Sequence, residues 1–426
     1  MLLHERKSIS QDGAFIDCIR TDRFRFSSFS LTFSLGRLSF SERQALYALS
    51  RMMENGSESY PSPESLSVAL SMLYDAEIDF TFTEAESGVL FHAEADFADT
   101  PAIGEDLLSG ILTHIRSTLE RPFPLPDGGE ALLARVKEDI RGDCAVDRAD
   151  PDAYSYSAYK DRVYSAYSDR LTEEGIRSIP KDVTLGDVKK IHSLLLGAPM
   201  IYAFSIGRAD ADRVKSEICS RFPYARAEKV IPLTPCYPGS FEKFTDTPMG
   251  SSSRLYLGYS SSCEDLYSSI LAIYLGGVPV SRLYTVLREE NRYCYSVYAE
   301  RQSAGLLTVS ATVGKRLEER SKKLIEKVIE ETKIGADPSV LSAAKQAALS
   351  SARGMYESRR ACERFFFASF VRGEYPDNEQ RIKKIEAFGE KELTEAARGL
   401  NLCREYILPG ERTVGRKKSA RGGLRH

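Results

Sequence analysis

The chain has 426 residues, 42% of them apolar and 28% charged, proportions that fit about two to four folded domains and exclude a peptide or a wholly disordered protein. No window approaches the roughly 18 uninterrupted apolar residues of a membrane span. The 58 basic and 61 acidic side chains leave a formal charge of −3, so no global field recruits nucleic acid or an anionic membrane.

The N-terminal stretch Met1 to Asp17 has the basic pair Arg6 and Lys7 but no apolar core of roughly 7 to 15 residues behind it, so no secretory signal is expected. Ser28 to Leu35 alternates polar with apolar and reads as a half-buried strand. Ser41 then caps a helix through Met53, which Gly56 ends. A second short helix over Pro63 to Leu73 leads into antiparallel-looking strands at Glu77 to Thr83 and Gly88 to Ala95. Amphipathic helices follow at Asp106 to Glu120 and Glu130 to Arg141, then the alternating strand Met200 to Ile206 and a helix over Asp210 to Phe222.

Prolines 223, 232, 235, 238 and 248 crowd one stretch near the middle of the chain, which reads as a linker over 223–250. The order of elements then repeats. Ser253 to Tyr259 reads as a strand, and Ser262 caps a helix through Leu275 that stops at Gly276 and Gly277. The caps at Ser41 and Ser262 are about 220 residues apart, half the chain, as a duplication requires. A short helix over Val280 to Arg288, strands at Tyr295 to Glu300 and Leu306 to Val313, and helices over Lys315 to Thr332 and Pro338 to Arg372 complete the second half. In Lys315 to Thr332, Leu317, Leu324, Ile325, Val328 and Ile329 form a core stripe. The expected fold class is α+β: two similar domains, residues 1–222 and 251–426, each a mainly antiparallel sheet with helices on one face. The tail carrying Arg412, Arg416, Lys417, Lys418, Arg421 and Arg425 reads as a solvated terminus.

The cysteines at 18, 144, 219, 236, 263, 294, 362 and 403 form no C-x-x-C, so buried thiols in a reducing cytoplasm are expected. The histidines, at 4, 92, 114, 192 and 426, never fall within five residues of one another. A hydrolytic zinc site commonly uses two imidazoles one helical turn apart with a carboxylate base, and that set cannot be assembled locally. His92 and His114 are expected to be structural.

The most informative stretch is Leu275-Gly276-Gly277-Val278-Pro279-Val280-Ser281-Arg282-Leu283-Tyr284-Thr285-Val286-Leu287-Arg288-Glu289-Glu290-Asn291-Arg292-Tyr293-Cys294-Tyr295-Ser296-Val297-Tyr298. A helix stops at paired glycines, a short helix turns Leu283 and Leu287 inward, and a turn leads into a strand near Tyr295. The pattern L-G-G-x-x-x-S-R-L-[FY]-x-x-[LIV]-R-E-x-x-x-x-x-Y-S-[VI]-[YF] resembles the C-terminal domain of insulinase-type (pitrilysin, mitochondrial processing peptidase) proteins, matching at about ten positions over about 24 residues. In the first half, Gly56 with Tyr60-Pro61 is similar to the family's G-T-x-x-[YF]-P segment, and Leu73-Tyr74-Asp75-Ala76 to its L-x-G-A turn. The resemblance implies two homologous LuxS/processing-peptidase-like domains, and among family members this chain looks most like the zinc-less bacterial group, some of which are labelled as associated with 5-aminopentanol modification of elongation factor P.

Active members carry an inverted zinc motif, H-x-x-E-H, on the first helix. Counting back from Gly56 places it at Tyr47-Ala48-Leu49-Ser50-Arg51. The resemblance therefore implies that both ligand positions and the general-base position are lost, at Tyr47, Ser50 and Arg51. A third family ligand would match Glu138 or Asp139. No metal or other cofactor is expected on this chain. The family also has an arginine and a tyrosine seven residues apart that hydrogen-bond the bound peptide's carbonyls, and Arg288 with Tyr295 stands at that spacing. Read without the resemblance, Arg288 would be a surface ion pair with Glu289 or a neighbour, and Tyr295 a core phenol.

The implied function is a non-catalytic subunit, inactive alone, that contributes peptide binding to a zinc-bearing insulinase-type paralogue in a heterodimer. The partners are that paralogue, with zinc on it, and an extended peptide. A scaffold or peptide-binding protein without hydrolysis, acting as a homodimer or alone, is the alternative. An independent serine or cysteine hydrolase is disfavoured, since no G-x-S-x-G elbow occurs.

Overall fold

The computed structural model describes residues 5–11, 14–100, 103, 107–124, 129–164, 183–222, 230–231, 241–302, 305–373 and 377–411. His4, His426, Cys236, the basic tail from Arg412, and 223–229 and 232–240 of the proline-rich stretch lie outside them. The chain forms two compact units: Met1–Asp150 with Lys160–Cys236 and Ala348–Ala387, and Pro151–Tyr159 with Tyr237–Ala347 and Phe388–His426. These differ from contiguous halves divided at 223–250, because short stretches of each half of the chain belong to the other unit.

The first unit is built on a six-stranded sheet of β1 (Glu5–Gln11), β2 (Ala14–Arg20), β3 (Phe26–Gly36), β4 (Glu77–Ala85), β5 (Gly88–Ala98) and β6 (Met200–Gly207), in the order β1-β2-β6-β3-β5-β4. Among the described strands of this sheet only β2 and β6 run parallel. The alternation read in β3 is structural: Phe29, Leu31 and Phe33 lie opposite Ala95, Ala93 and Phe91 of β5, and all six are buried on one face. Helices α1 (Phe40–Met53), α3 (Leu107–Glu120), α4 (Glu130–Ala149), α6 (Leu185–Gly197) and α7 (Ala211–Cys219) supply the rest of that core through Leu46, Leu49, Ile111, Ile140, Ile191 and Val214. Burying each such side chain contributes about 1.5–3 kcal/mol. The first half of the chain also has helices α2 (Pro63–Ser71) and α5 (Pro151–Val163). The cap of α1 is Ser39 rather than Ser41, because Glu42 stands three residues after Ser39 and closes a capping box with it.

The second unit has a five-stranded sheet of β7 (Glu242–Thr245), β8 (Ser253–Ser261), β9 (Cys294–Arg301), β10 (Leu306–Val313) and β11 (Leu400–Leu408), ordered β7-β11-β8-β10-β9, with β7 parallel to β11 and the other described pairs antiparallel. β7 lies within the stretch expected to be linker. Helices α8 (Asp265–Ala272), α9 (Glu318–Ile334) and α13 (Glu390–Arg398) pack together, and α9 buries Ile325, Val328 and Ile329 as its periodicity predicts.

The helix expected over Pro338 to Arg372 is interrupted. It forms α10 (Pro338–Arg353), a 3-10 turn at Met355–Glu357 and α11 (Arg359–Arg372), followed by α12 (Asn378–Ala387). Gly354 leaves the α-helix, and the Ser358 side chain accepts from the Ala361 N–H to start α11. Within the first unit, α11 covers the second face of the sheet. Cys362 and Phe366 are buried with Ile19, Phe204 and Ile206, and Phe370 stacks on Tyr202 at 4.6 Å between ring centroids. Among the described residues no helix is long and apolar enough to cross a membrane.

Candidate functional site

Tyr47, Ser50 and Arg51, the residues expected at the inverted-motif positions, stand on α1. Tyr47 is half-buried with its ring edge-on to Phe82 of β4, centroids 6.5 Å apart. Ser50 is buried, and its hydroxyl donates back to the Tyr47 carbonyl at 3.0 Å. Arg51 pairs with Glu54 at 3.2 Å and with Asp143 of α4 at 3.6 Å. Glu138 and Asp139 are exposed, so the α4 carboxylate that reaches α1 is Asp143, one turn beyond Asp139. A phenol in an aromatic contact, a hydroxyl tied to its own helix and a permanent guanidinium cation do not fit a divalent ion. Among the described residues no three His, Cys, Asp or Glu side chains converge in a way that could hold a metal.

The described histidines have structural environments. His92 is bracketed by the hydroxyls of Thr32 at 3.1 Å and Thr83 at 2.8 Å, and burial pushes its pKa down to about 4. His114 stacks on Tyr60 at 4.9 Å, and burial lowers it likewise to about 4. The His192 Nε2 meets the Leu119 carbonyl at 2.7 Å. Burial raises the thiols of Cys18 and Cys362 to about 12.

Arg288 and Tyr295 are held by a different local device. After α8 the chain continues as a π-helical turn, Ile273–Gly277, and a second π-helical segment, Tyr284–Glu290, runs into β9. π-helical turns are costly and concentrate at functional sites. Leu283 and Leu287 are fully buried, which turns Arg288 outward. Its guanidinium lies over the Tyr284 ring, 5.0 Å from the centroid, and makes no ion pair among the described residues. The first glycine of the pair permits close packing: a Cβ on Gly276 would lie 2.5 Å from the Ala299 nitrogen and 2.9 Å from the Tyr298 carbonyl carbon, both backbone atoms of β9.

β9 is an edge strand, and Tyr295 sits at an irregularity in it. Cys294 faces Val313 and Ser296 faces Thr312, so Tyr295 is the extra residue of a β-bulge. Bulges re-aim side chains and recur beside functional sites. Tyr295 is 68% exposed and Tyr298 63%, so neither is a core phenol. Arg288 lies near the start of β9, where its charge partly offsets the burial that raises Cys294 to about 11. The bulge and the π-helical segment have no clear signature in the sequence; the motif alone marked the place.

Residues 182–348 match the Peptidase M16 inactive domain family. No curated protein matches the chain in sequence. The fold is shared with a conserved protein from Enterococcus faecalis V583, with a TM-score of 0.82, 18% identity, and 95% of this chain and 99% of that one covered. A peptidase M16 inactive domain from Pseudomonas fluorescens has a TM-score of 0.76 and 17% identity over 96% of this chain and 99% of its own. A protease from Helicobacter pylori follows at 0.75 and 13%, over 96% of this chain and 100% of its own. By the matched segment, residues 182–348 are similar to the inactive domain of M16 peptidases, and over nearly its whole length the chain shares the fold of M16-type proteins.

Proposed function

We propose that this chain is the non-catalytic subunit of a two-subunit M16 peptidase of the cytoplasm, gripping an extended peptide for a zinc-bearing partner. The observation that carries the reading is the contrast between the two units. The positions that would hold the metal have aromatic, hydroxyl and guanidinium side chains, whereas Tyr295 is exposed at a bulged sheet edge and Arg288 is exposed with no ion pair among the described residues.

An edge strand offers unpaired N–H and C=O groups, and a peptide added alongside β9 gains main-chain hydrogen bonds with little demand on its sequence. The Arg288 guanidinium and the Tyr295 hydroxyl are both donors. Aimed at a peptide carbonyl, they hold it in register and stabilise the negative charge that builds on its oxygen during attack. The metal, the general base and the attacking water would come from the partner.

The test is to co-express the chain with a zinc-bearing M16 protein of the same genome, size the product, and assay a fluorogenic peptide. A mixed complex that cleaves where neither chain alone does is the expected result. A chain that forms only homodimers, or leaves the zinc-bearing protein's activity unchanged, would support the scaffold reading.

A further inference from the structure

The second face of the first sheet is divided. Toward β2 and β6 it is apolar and covered by α11, as described above. Toward the β4 edge it turns polar, and the register lines up Ser28, Ser30 and Thr32 of β3 with Asp96, Glu94 and His92 of β5. Glu94 in turn faces Asp79 of β4. The side of α11 that turns away from the apolar contact closes over this surface with Arg360, Glu363, Arg364 and Phe367, leaving a cavity of about 390 Å³. The cavity lies wholly within the first unit, whereas Arg288 and Tyr295 belong to the second.

The polar groups of this cavity are unequally satisfied. Asp96 is occupied by Arg359 at 2.9 Å and has Arg360 at 3.8 Å. Glu363 is hydrogen-bonded to the Ser30 side chain. Glu94 and Asp79 line the same space and have neither a hydrogen bond nor an ion pair among the described residues. Five carboxylates line the cavity against two guanidinium groups, so its unmet demand is for positive charge. Of the two, Glu94 is half-buried and Asp79 exposed; a part-buried carboxylate such as Glu94 without a partner is costly, and a cation that enters relieves it. Burial, with Glu363 and Asp79 beside it, pushes the Glu94 carboxyl up to about 7, the same unmet demand expressed as proton affinity. Phe367 supplies an aromatic wall against which an aliphatic stem can lie, and the volume admits a lysine-sized group with water beside it.

We propose that this cavity binds a ligand through an alkylammonium or guanidinium group, seated between Glu94, Asp79 and Glu363 with its stem against Phe367. The cation could belong to a free amine or to a basic side chain of a peptide lying along the β4 edge. The site is independent of the proposed role of Arg288 and Tyr295.

The experiment is calorimetric titration of the full chain at pH 8 with n-butylammonium chloride, with the peptide Ac-Ala-Lys-Ala-NH2, and with the same peptide acetylated on its lysine. The charged probes are expected to bind at least about tenfold tighter than the acetylated one, and Glu94→Gln and Asp79→Asn are each expected to weaken them about tenfold without lowering the thermal midpoint. Tighter binding of butylammonium assigns the site to free amines, and tighter binding of the peptide to basic side chains. Equal binding of the acetylated peptide, no binding of either cation at about 10 mM, or wild-type affinity in both variants would overturn the proposal.

Discussion

Arg51 of α1 and Asp143 of α4 face one another at 3.6 Å, with Glu54 on the other side of the guanidinium at 3.2 Å. A fixed organic cation thus bridges two helices at the position that the resemblance aligns with an imidazole of the zinc motif. The same charge repels a divalent ion. Protein purified without chelators is therefore expected to contain less than about 0.1 equivalents of zinc by elemental analysis. A stoichiometric, tightly held metal would contradict this.

At Gly276 the helical layer packs directly against the strand that carries Tyr295. An added methyl would meet β9 backbone, which cannot rotate aside, so Gly276→Ala must displace the strand. A loss of about 1–3 kcal/mol is expected, with faster amide exchange at Val297 and Ala299. Gly277→Ala is the control, since its methyl would meet only the Ile273 side chain at 3.3 Å. Equal behaviour of the two variants would count against the packing argument.

Glu94 gives a pH dependence with a definite sign. Its folded pKa, about 7, exceeds the ordinary carboxylate value through burial and through Glu363, Asp79 and Asp96, with only Arg360 opposing. Between about pH 4.5 and 7 the folded chain keeps a proton that the unfolded chain has released, so this group's contribution to stability falls as pH rises and is lowest above 7. Glu94→Gln removes the penalty. The variant should gain about 1–3 kcal/mol over wild type at pH 8 and little at pH 4.5, measured by urea unfolding. An equal gain at both pH values would assign the effect to packing instead.

Much of this architecture was legible because each sheet has one strongly apolar face. Alternation located β3 and β6, the repeated order of elements pointed to β4, β5, β8, β9 and β10, and helical periodicity located α9 and its buried stripe. β1 and β2 were missed, although Asp12-Gly13 between them is a dipeptide common in hairpins, because β1 is too polar to alternate clearly. The break at Gly354 was hidden by uniform helical composition on both sides, with Ser358 as its only mark. The motif drew attention to Arg288 and Tyr295 but gave no account of their exposure, which depends on a π-helical segment and a bulge formed by tertiary packing. The cavity beneath α11 was beyond sequence reasoning, since its walls lie more than 250 residues apart in the chain, as Asp96 and Arg359 illustrate.

The central claim is that Arg288 and Tyr295 act on a peptide whose bond is cut by another chain. The most direct measurement is turnover of a fluorogenic peptide by the mixed complex containing Arg288→Ala, alongside sizing of that complex. Turnover is expected to fall about 10²-fold, with the complex still assembled. Undiminished cleavage by the assembled variant would contradict the account.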